Sequence, residues 1–476
     1  MHVECHAPSS TGFGGLVAEP ANFAVVQVPA SRWLDGRRWT LSCRAPFLTL
    51  TASRGRSVIA CESGAFVHRG EPLRLVDLLL ERLRPRRSSG LPFEGGLVGF
   101  LGYELLDGSE VPRGTRCDAW LAFPRQARIT PDAGDELEIR LDDLPEAATL
   151  LRELGCEPLA EQRQESAGHG AGQTGDPPSK PPGRLLASRD GRRRFVSAVE
   201  QCQRLIAAGD LYQANLSHQL EISMPSDARA LAAASWRRDP APHQTFVDCG
   251  DFQVVGASPE LFLRRRGRRI AVRPIKGTRR RGLTTIEDSR LRRDLAEDPK
   301  EAAEHVMIVD LERNDLGRIA RTGSVAVPEL MAVETFGTVH HLVSTVMAEC
   351  RPETSVSDIL RATFPCGSVT GAPKIRARQV IRELERGPRG VYTGATGFID
   401  CRGDLELAVA IRTALVEPNL VRYGVGAGIV TDSLAAGEWD ETLLKSTALQ
   451  AALDEVVSAA HSRPPPASQE HEEDRR

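Results

Sequence analysis

The sequence predicts an α+β protein, and three observations carry that reading. The first third alternates short apolar runs with turns, a pattern of strands. Segments with helical spacing of apolar residues are interspersed later, and no βαβ unit surrounds the glycine-rich stretches. Two further apolar runs flank the arginine-rich turn Arg264–Arg269 as a hairpin. A length of 476 residues with 41% hydrophobic content suffices for a sizeable core. That length could form two or three domains, or one large β-rich unit.

Residues 1–158 are expected to form a β-rich region. Its strands include Phe23-Ala-Val-Val-Gln-Val28, Phe47-Leu-Thr-Leu-Thr51 and the glycine-punctuated Gly95–Tyr103, with a helix over about Leu73–Leu83. Residues 159–186 shift to Gln, Ser, Gly and Pro and read as a flexible linker or long loop. Residues 187–456 carry nearly all the motifs. Phe195–Ile206 reads as a helix stopped by Gly209-Asp210, followed by a strand over Leu211–Ile222. Asp251–Leu263 and Ile270–Ile275 form the hairpin. Asp298-Pro-Lys-Glu301 opens a helix, with a capping Asp, Pro in the first turn and Glu three residues after the cap. Strands are expected at Gly394–Ile399, Leu405–Val416 and Val421–Val430, and a final helix over about Gly437–Val456. Residues 457–476, with Pro464-Pro-Pro466 and mixed charge, read as a disordered tail.

A net charge of −3 argues against a general nucleic-acid or membrane-surface role. No stretch approaches the roughly 18 consecutive apolar residues of a membrane span, and the start of the chain lacks the pattern of an export signal. The ten cysteines are scattered, with no C-x-x-C pair. Reduced structural thiols in a cytoplasmic protein are therefore expected, with no nucleic-acid or membrane partner.

Lysine is nearly absent. Of 61 basic residues only Lys180, Lys276, Lys300, Lys374 and Lys445 are lysines, which leaves 56 arginines. A lysine retained against that bias suits a place that needs a neutralisable amine, since only lysine can shed its proton and attack carbon. Lys276 stands in Arg273-Pro-Ile-Lys-Gly-Thr278, inside a stretch from Leu261 to Ile286 with ten cations and no carboxylate. Arg264–Arg269 reads as a solvated turn. The second group, Arg273–Arg281, suits a small polyanion, because aromatics for base stacking are missing. Glu301 and Glu304 share one helix face, and Glu438 and Glu441 another. Carboxylates from two helices without His/Cys clustering suit Mg²⁺, although each taken alone reads more readily as a surface helix carboxylate, by roughly four to one. Two glycine-rich segments, Pro365–Lys374 and Gly424-Val-Gly-Ala-Gly428, either let backbone approach an anion closely or form ordinary turns.

Five motifs occur together: Pro274-Ile-Lys-Gly-Thr278, Glu304–Arg318, His340–Val346, Gly367-Ser-Val-Thr-Gly-Ala-Pro-Lys374 and Gly426–Ser433. With them the chain resembles the chorismate-utilising enzymes, which include anthranilate, aminodeoxychorismate, isochorismate and salicylate synthases. The resemblance covers residues 187–456 strongly and Gly95–Leu106 more weakly. It implies an α/β sandwich of two large antiparallel sheets flanked by helices, with the N-terminal part woven in.

The resemblance also implies roles. Water-adding relatives carry a base lysine where this chain has Gln213, and anthranilate-forming relatives carry Ala where this chain has Lys276. A Gln and a Lys at these positions resemble the branch that aminates chorismate at C4. There Lys276 would be the nucleophile and Glu260 the acid, while Glu304, Glu438 and Glu441 would hold Mg²⁺. Gln213, Gly277, Thr278, His341, Thr370, Tyr392, Arg412, Gly426 and Gly428 would contact chorismate. A raised pKa is expected for Glu260. A lowered one is expected for Lys276, favoured by the surrounding arginines. Cys366 and Arg280 depart from the family's usual Gly and Pro. No segment resembles an amidotransferase domain, so a separate glutamine amidotransferase subunit is implied as the source of ammonia.

Overall fold

The computed structural model describes residues 2–6, 13–30, 38–53, 55–85, 89–107, 117–132, 135–159, 186–187, 190–222, 227–385 and 387–461. Two long strands organise it. Trp39–Ser53 and Ala119–Pro131 pair antiparallel from Trp39 opposite Pro131 to Ala52 opposite Ala119. Halfway along, Pro46 faces Pro124, the register slips between Pro46 and Leu48, and Ala45 has a φ of 48°. Proline offers no N–H to the ladder and a bulge bends its strand, so both strands turn a corner there.

Each side of the corner grows its own sheet. On one side Asn22–Val28 pairs with the first half of Trp39–Ser53, then leads through His243–Asp248, Gln253–Ser258, Thr413–Glu417 and Leu420–Ile429 to Gln213–Ile222. On the other side Gly96–Leu101 pairs with Ala119–Ala122. It leads through Ala395–Asp400, Leu405–Val409, Leu261–Arg266 and Arg269–Arg273 to Val339–Glu349, which also carries Ile275–Arg280. The result is a large antiparallel sheet structure flanked by helices. It departs from two separate sheets in one respect: the shared strands make all the pairing one continuous network.

Several local expectations are corrected. The expected strand Leu405–Val416 is two strands, Leu405–Val409 and Thr413–Glu417, because the backbone between them turns through Arg412 with a φ of 51°. The expected last helix is also two, Ala435–Leu444 and Thr447–His461, and the second runs five residues into the segment read as tail. Residues 462–476, and 160–185 of the expected linker, lie outside the described residues. The Arg264–Arg269 turn is solvated only at its tip, Gly267–Arg269. Arg264 is buried, reaching Glu406 Oε1 at 2.6 Å and the Pro29 carbonyl at 2.9 Å, and Arg265 is buried with it. A guanidinium in that position needs its carboxylate, since an unpaired buried charge is strongly destabilising. The helix start at Asp298 is as expected: its carboxylate accepts from the Lys300 and Glu301 N–H groups at 3.0 and 3.2 Å.

Candidate active site

The two sheets meet where their chemistry-bearing residues lie. Asn215 pairs with Gly428 and Ser217 with Gly426 in the first sheet. Lys276 comes from the second, on Ile275–Arg280. A Cβ on Gly428 would stand 2.6 Å from Gln213 Nε2 and 3.3 Å from Lys276 Nζ, so the three converge and only glycine fits. Gln213 is fully buried, and neither its Nε2 nor its Oε1 has a hydrogen-bond partner. Leaving a buried polar atom unbonded costs about 1–3 kcal/mol. Two such atoms side by side mark a surface that awaits a polar ligand.

Burial, above all, lowers the pKa of Lys276, and Lys445 assists; Glu304, Glu260 and Glu301 oppose the shift. The arginines of its own segment are not the cause. Arg273 is paired with Glu334, Arg279 with Asp298 and Glu301, Arg280 with Glu287 and Arg281 with Asp288, so their charge is spent locally. The same ion pairs leave Arg273–Arg281 a poor polyanion site. Glu260 is buried, and burial pushes its carboxyl up to about 7 against a Ser368 hydrogen bond, the Lys276 charge and the Ile275 N–H at 3.4 Å. A carboxyl raised that far can hold a proton near neutral pH, as a general acid requires.

Gly277 holds its turn at a φ of 74°, where a Cβ would meet Leu295 Cδ1 at 2.9 Å. Beside it, the Thr278 hydroxyl and His341 Nδ1 lie 3.0 Å apart, and burial brings the imidazole down to about 4, so it stays neutral. Thr370 is buried with its hydroxyl donating to the Cys366 and Gly367 carbonyls at 3.0 and 3.2 Å, while its own carbonyl takes the Asn215 N–H at 2.8 Å. It fixes the Pro365–Lys374 turn against the Gln213 strand. Lys374 is structural: it binds Asp315 and the Thr363 and Pro365 carbonyls at 2.7 and 2.8 Å.

A second cationic corner faces the same glycine strand. A Cβ on Gly424 would strike the Tyr392 ring at 2.1 Å, and one on Gly426 would stand 3.1 Å from the Tyr392 hydroxyl. Tyr392 follows Arg389, which is buried and ion-paired with Glu385 at 2.7 Å. Arg412 sits on its left-handed backbone, close enough to add to the lowering of His341 by burial and to oppose the rise that burial gives Tyr392, and among the described residues no hydrogen bond or ion pair engages its guanidinium. A half-buried guanidinium without a carboxylate suits a carboxylate from a ligand.

The three expected metal ligands are only partly assembled. Burial raises the pKa of Glu304 and of Glu438, and each is pushed further by a neighbouring carboxylate: Glu438 acts on Glu304, and Glu441 acts on Glu438. Glu441 itself is exposed and paired with Lys445 at 2.8 Å. Among the described residues no group of three His, Cys, Asp or Glu is close enough to hold a metal ion by itself. Mutually repelling oxygen donors on two helices do fit a hard divalent cation that keeps waters and takes oxygen from a substrate.

A profile described as chorismate binding enzyme matches residues 34–451. The chain belongs to that family. It is 35% identical over 439 residues to anthranilate synthase component 1 of Bacillus caldotenax, covering 87% of this chain and 85% of that one. It is 41% identical over 379 residues to an aminodeoxychorismate synthase of Streptomyces griseus, covering 76% of this chain and 50% of that protein. Among solved structures, anthranilate synthase component I from Streptococcus pneumoniae superposes with a TM-score of 0.73 at 31% identity, covering 87% of this chain and 92% of that one.

Within this family member, sequence reasoning missed a buried cluster behind Glu260. Glu312 is 1% exposed and accepts from the Gly367 N–H at 3.2 Å and the Cys366 thiol at 3.3 Å. Cys366 Sγ is also 3.3 Å from Ser368 Oγ, and Ser368 stands close enough to Glu260 to act against the rise of its carboxyl pKa. His305 was missed too; its Nε2 lies 2.6 Å from Ser344 Oγ, and its buried Nδ1 has no partner. The only signal for Glu312 was its place eight residues after Glu304 on one helix. Nothing local reveals that its side chain turns inward.

Proposed function

We propose that the chain is an aminodeoxychorismate synthase component I, converting chorismate and ammonia to 4-amino-4-deoxychorismate, the precursor of p-aminobenzoate and folate. The observation that carries this reading is the half-buried Lys276, whose amine is lowered in pKa and set against Gly428 and the unbonded Gln213 amide. The neutral Lys276 amine attacks C2 while the C4–O bond breaks, and Glu260 gives its proton to the departing oxygen, which leaves as water. Ammonia then forms the C4–N bond as the C2–N bond breaks. Lys276 departs as a neutral amine, and the new ammonium returns a proton to Glu260. Retention at C4 follows from the two displacements.

Arg412, Tyr392 and the N–H groups along Gly426–Gly428 receive the enolpyruvyl carboxylate, and His341, Thr278, Gly277 and Thr370 shape the ring site. Glu304 and Glu438, with Glu441 once released from Lys445, would hold Mg²⁺. When bound, the ion neutralises the ring carboxylate and orients it. Ammonia comes from a glutamine amidotransferase partner. No helix among the described residues is long and apolar enough to cross a membrane, and a cytoplasmic location is part of this proposal.

A second reading, anthranilate formation, is favoured by relatives that carry that name. One experiment separates the two. The purified chain is incubated with chorismate, Mg²⁺ and ammonium, and the products are resolved by chromatography and mass spectrometry. Aminodeoxychorismate is expected; anthranilate with pyruvate would refute the proposal.

A further inference from the structure

Behind Glu260 lies a closed row of exchangeable protons that the proposed chemistry does not yet use. Ser368 stands next to Glu260, close enough to act on its carboxyl as a hydrogen-bond donor. Ser368 Oγ lies 3.3 Å from Cys366 Sγ, which in turn lies 3.3 Å from Glu312 Oε1. All four side chains are buried, Glu260 at 4%, Ser368 at 7%, Cys366 at 4% and Glu312 at 1% exposure. Each of the inner two is both donor and acceptor, so the row has two consistent polarities. In one, a protonated Glu260 donates to Ser368, Ser368 to Cys366 and Cys366 to an ionised Glu312. In the other every bond is reversed, and Glu312 holds the proton.

We propose that Glu260 and Glu312 share one proton through Ser368 and Cys366, with Glu312 as a buried reserve for the acid that protonates the leaving hydroxyl. This rests on the reading of Glu260 as that acid. After Glu260 has given up its proton, its carboxylate takes the Ser368 hydrogen, the Ser368 oxygen takes that of the Cys366 thiol, and the sulfur takes the one on Glu312. Three O–H or S–H bonds break and three form. One proton has moved from Glu312 to Glu260, and no oxidant or reductant is needed. The row runs backward when the aminated product sheds its surplus proton.

The surroundings favour sharing. Burial raises both carboxyls well above their usual range, and Glu260 is among the groups that raise Glu312. Two carboxyls that sense each other ionise in two steps belonging to the pair. Around Glu312 stand Lys374, Asp315, Cys366 and the Gly367 N–H; around Glu260 stand Lys276, Ser368 and the Ile275 N–H. Lys374 is already held by Asp315, which leaves Glu312 without a counter-ion of its own. Glu312 and Cys366 are positioning residues in this scheme, since neither meets the substrate.

The test compares Cys366→Ala, Cys366→Ser, Glu312→Gln and Glu260→Gln in ammonia-dependent turnover from pH 6 to pH 9, with KM for chorismate and thermal unfolding measured alongside. Cys366→Ala and Glu312→Gln are expected to lose about tenfold in kcat at pH 8, equivalent to one pK unit of acid strength, with KM within about twofold of the parent. Combining them should add little, because both break the same row. Cys366→Ser keeps a transferable hydrogen and should recover most of the loss; the solvent deuterium effect should follow the same pattern. The relay is refuted if Cys366→Ala keeps full kcat, or if Cys366→Ser is as impaired as Cys366→Ala, while Glu260→Gln is inactive. A fully active Glu260→Gln would instead overturn the acid assignment beneath it. Should Glu312→Gln fail to fold, the Cys366 pair still decides.

Discussion

Under the proposed amination, replacing Gln213 by lysine tests what keeps water from reacting in place of ammonia. Gln213 Nε2 and Lys276 Nζ lie 2.6 and 3.3 Å from one point above Gly428, which caps their separation at about 6 Å. Two ammonium groups at that distance repel by about 3 kcal/mol at an effective dielectric constant near 20. That is about two pK units, shared between the pair. Burial at position 213, which is fully enclosed, lowers them further. One of the two lysines in Gln213→Lys should therefore be neutral near physiological pH and able to draw a proton from water at C2. A positioned base contributes about 10²–10⁴-fold, so isochorismate should appear while the aminated product falls. The assay is chromatography of products from chorismate and Mg²⁺ without ammonia, with chorismate affinity measured by calorimetry. No isochorismate from a variant that still binds chorismate would refute the placement of Gln213 at the water-activating position.

Lys276→Ala should lose at least about a thousandfold in amination, as removal of a nucleophile does, with unfolding temperature unchanged. The parent given chorismate but no ammonia should show a lysine adduct by intact mass, and full activity in the variant would end the nucleophile role. Glu304→Ala should weaken Mg²⁺-dependent chorismate binding about tenfold or more in calorimetric titration. Glu441→Ala should weaken it less, because Glu441 starts paired with Lys445; unchanged metal dependence in both would remove the metal site. Gly277→Ala should cost about 1–3 kcal/mol through its left-handed backbone and the Leu295 contact, read as a lowered unfolding temperature, and an unshifted transition would show that the turn is not constrained.

Much of the candidate site was legible because its residues break local statistics. A lysine in an arginine-biased chain, and a glycine run too dense for a plain strand, pointed to Lys276 and Gly424–Gly428 before any coordinates. The Asp298 cap was equally plain, since capping chemistry is decided within four residues. What stayed hidden depends on contacts between distant segments. Arg264 reads as solvated until Glu406, 142 residues later, is set against it. The arginines around Lys276 read as the source of its low pKa until each is seen with its own carboxylate. The meeting of Glu312 with Cys366, and the corner at Pro46 and Pro124, are likewise products of packing that no window of sequence contains.

That corner has a consequence for any attempt to trim the protein. A fragment beginning at Asp190 would retain every side chain assigned to the chemistry. It would nevertheless strip His243–Asp248 of Asn22–Val28, and Ala395–Asp400 of Gly96–Leu101. Both orphaned strands are six residues long and almost wholly interior in the intact chain. Bare apolar edges of that kind recruit other chains and precipitate. The first third of the polypeptide thus serves as a built-in clasp over edges that the remainder of the chain would otherwise leave bare.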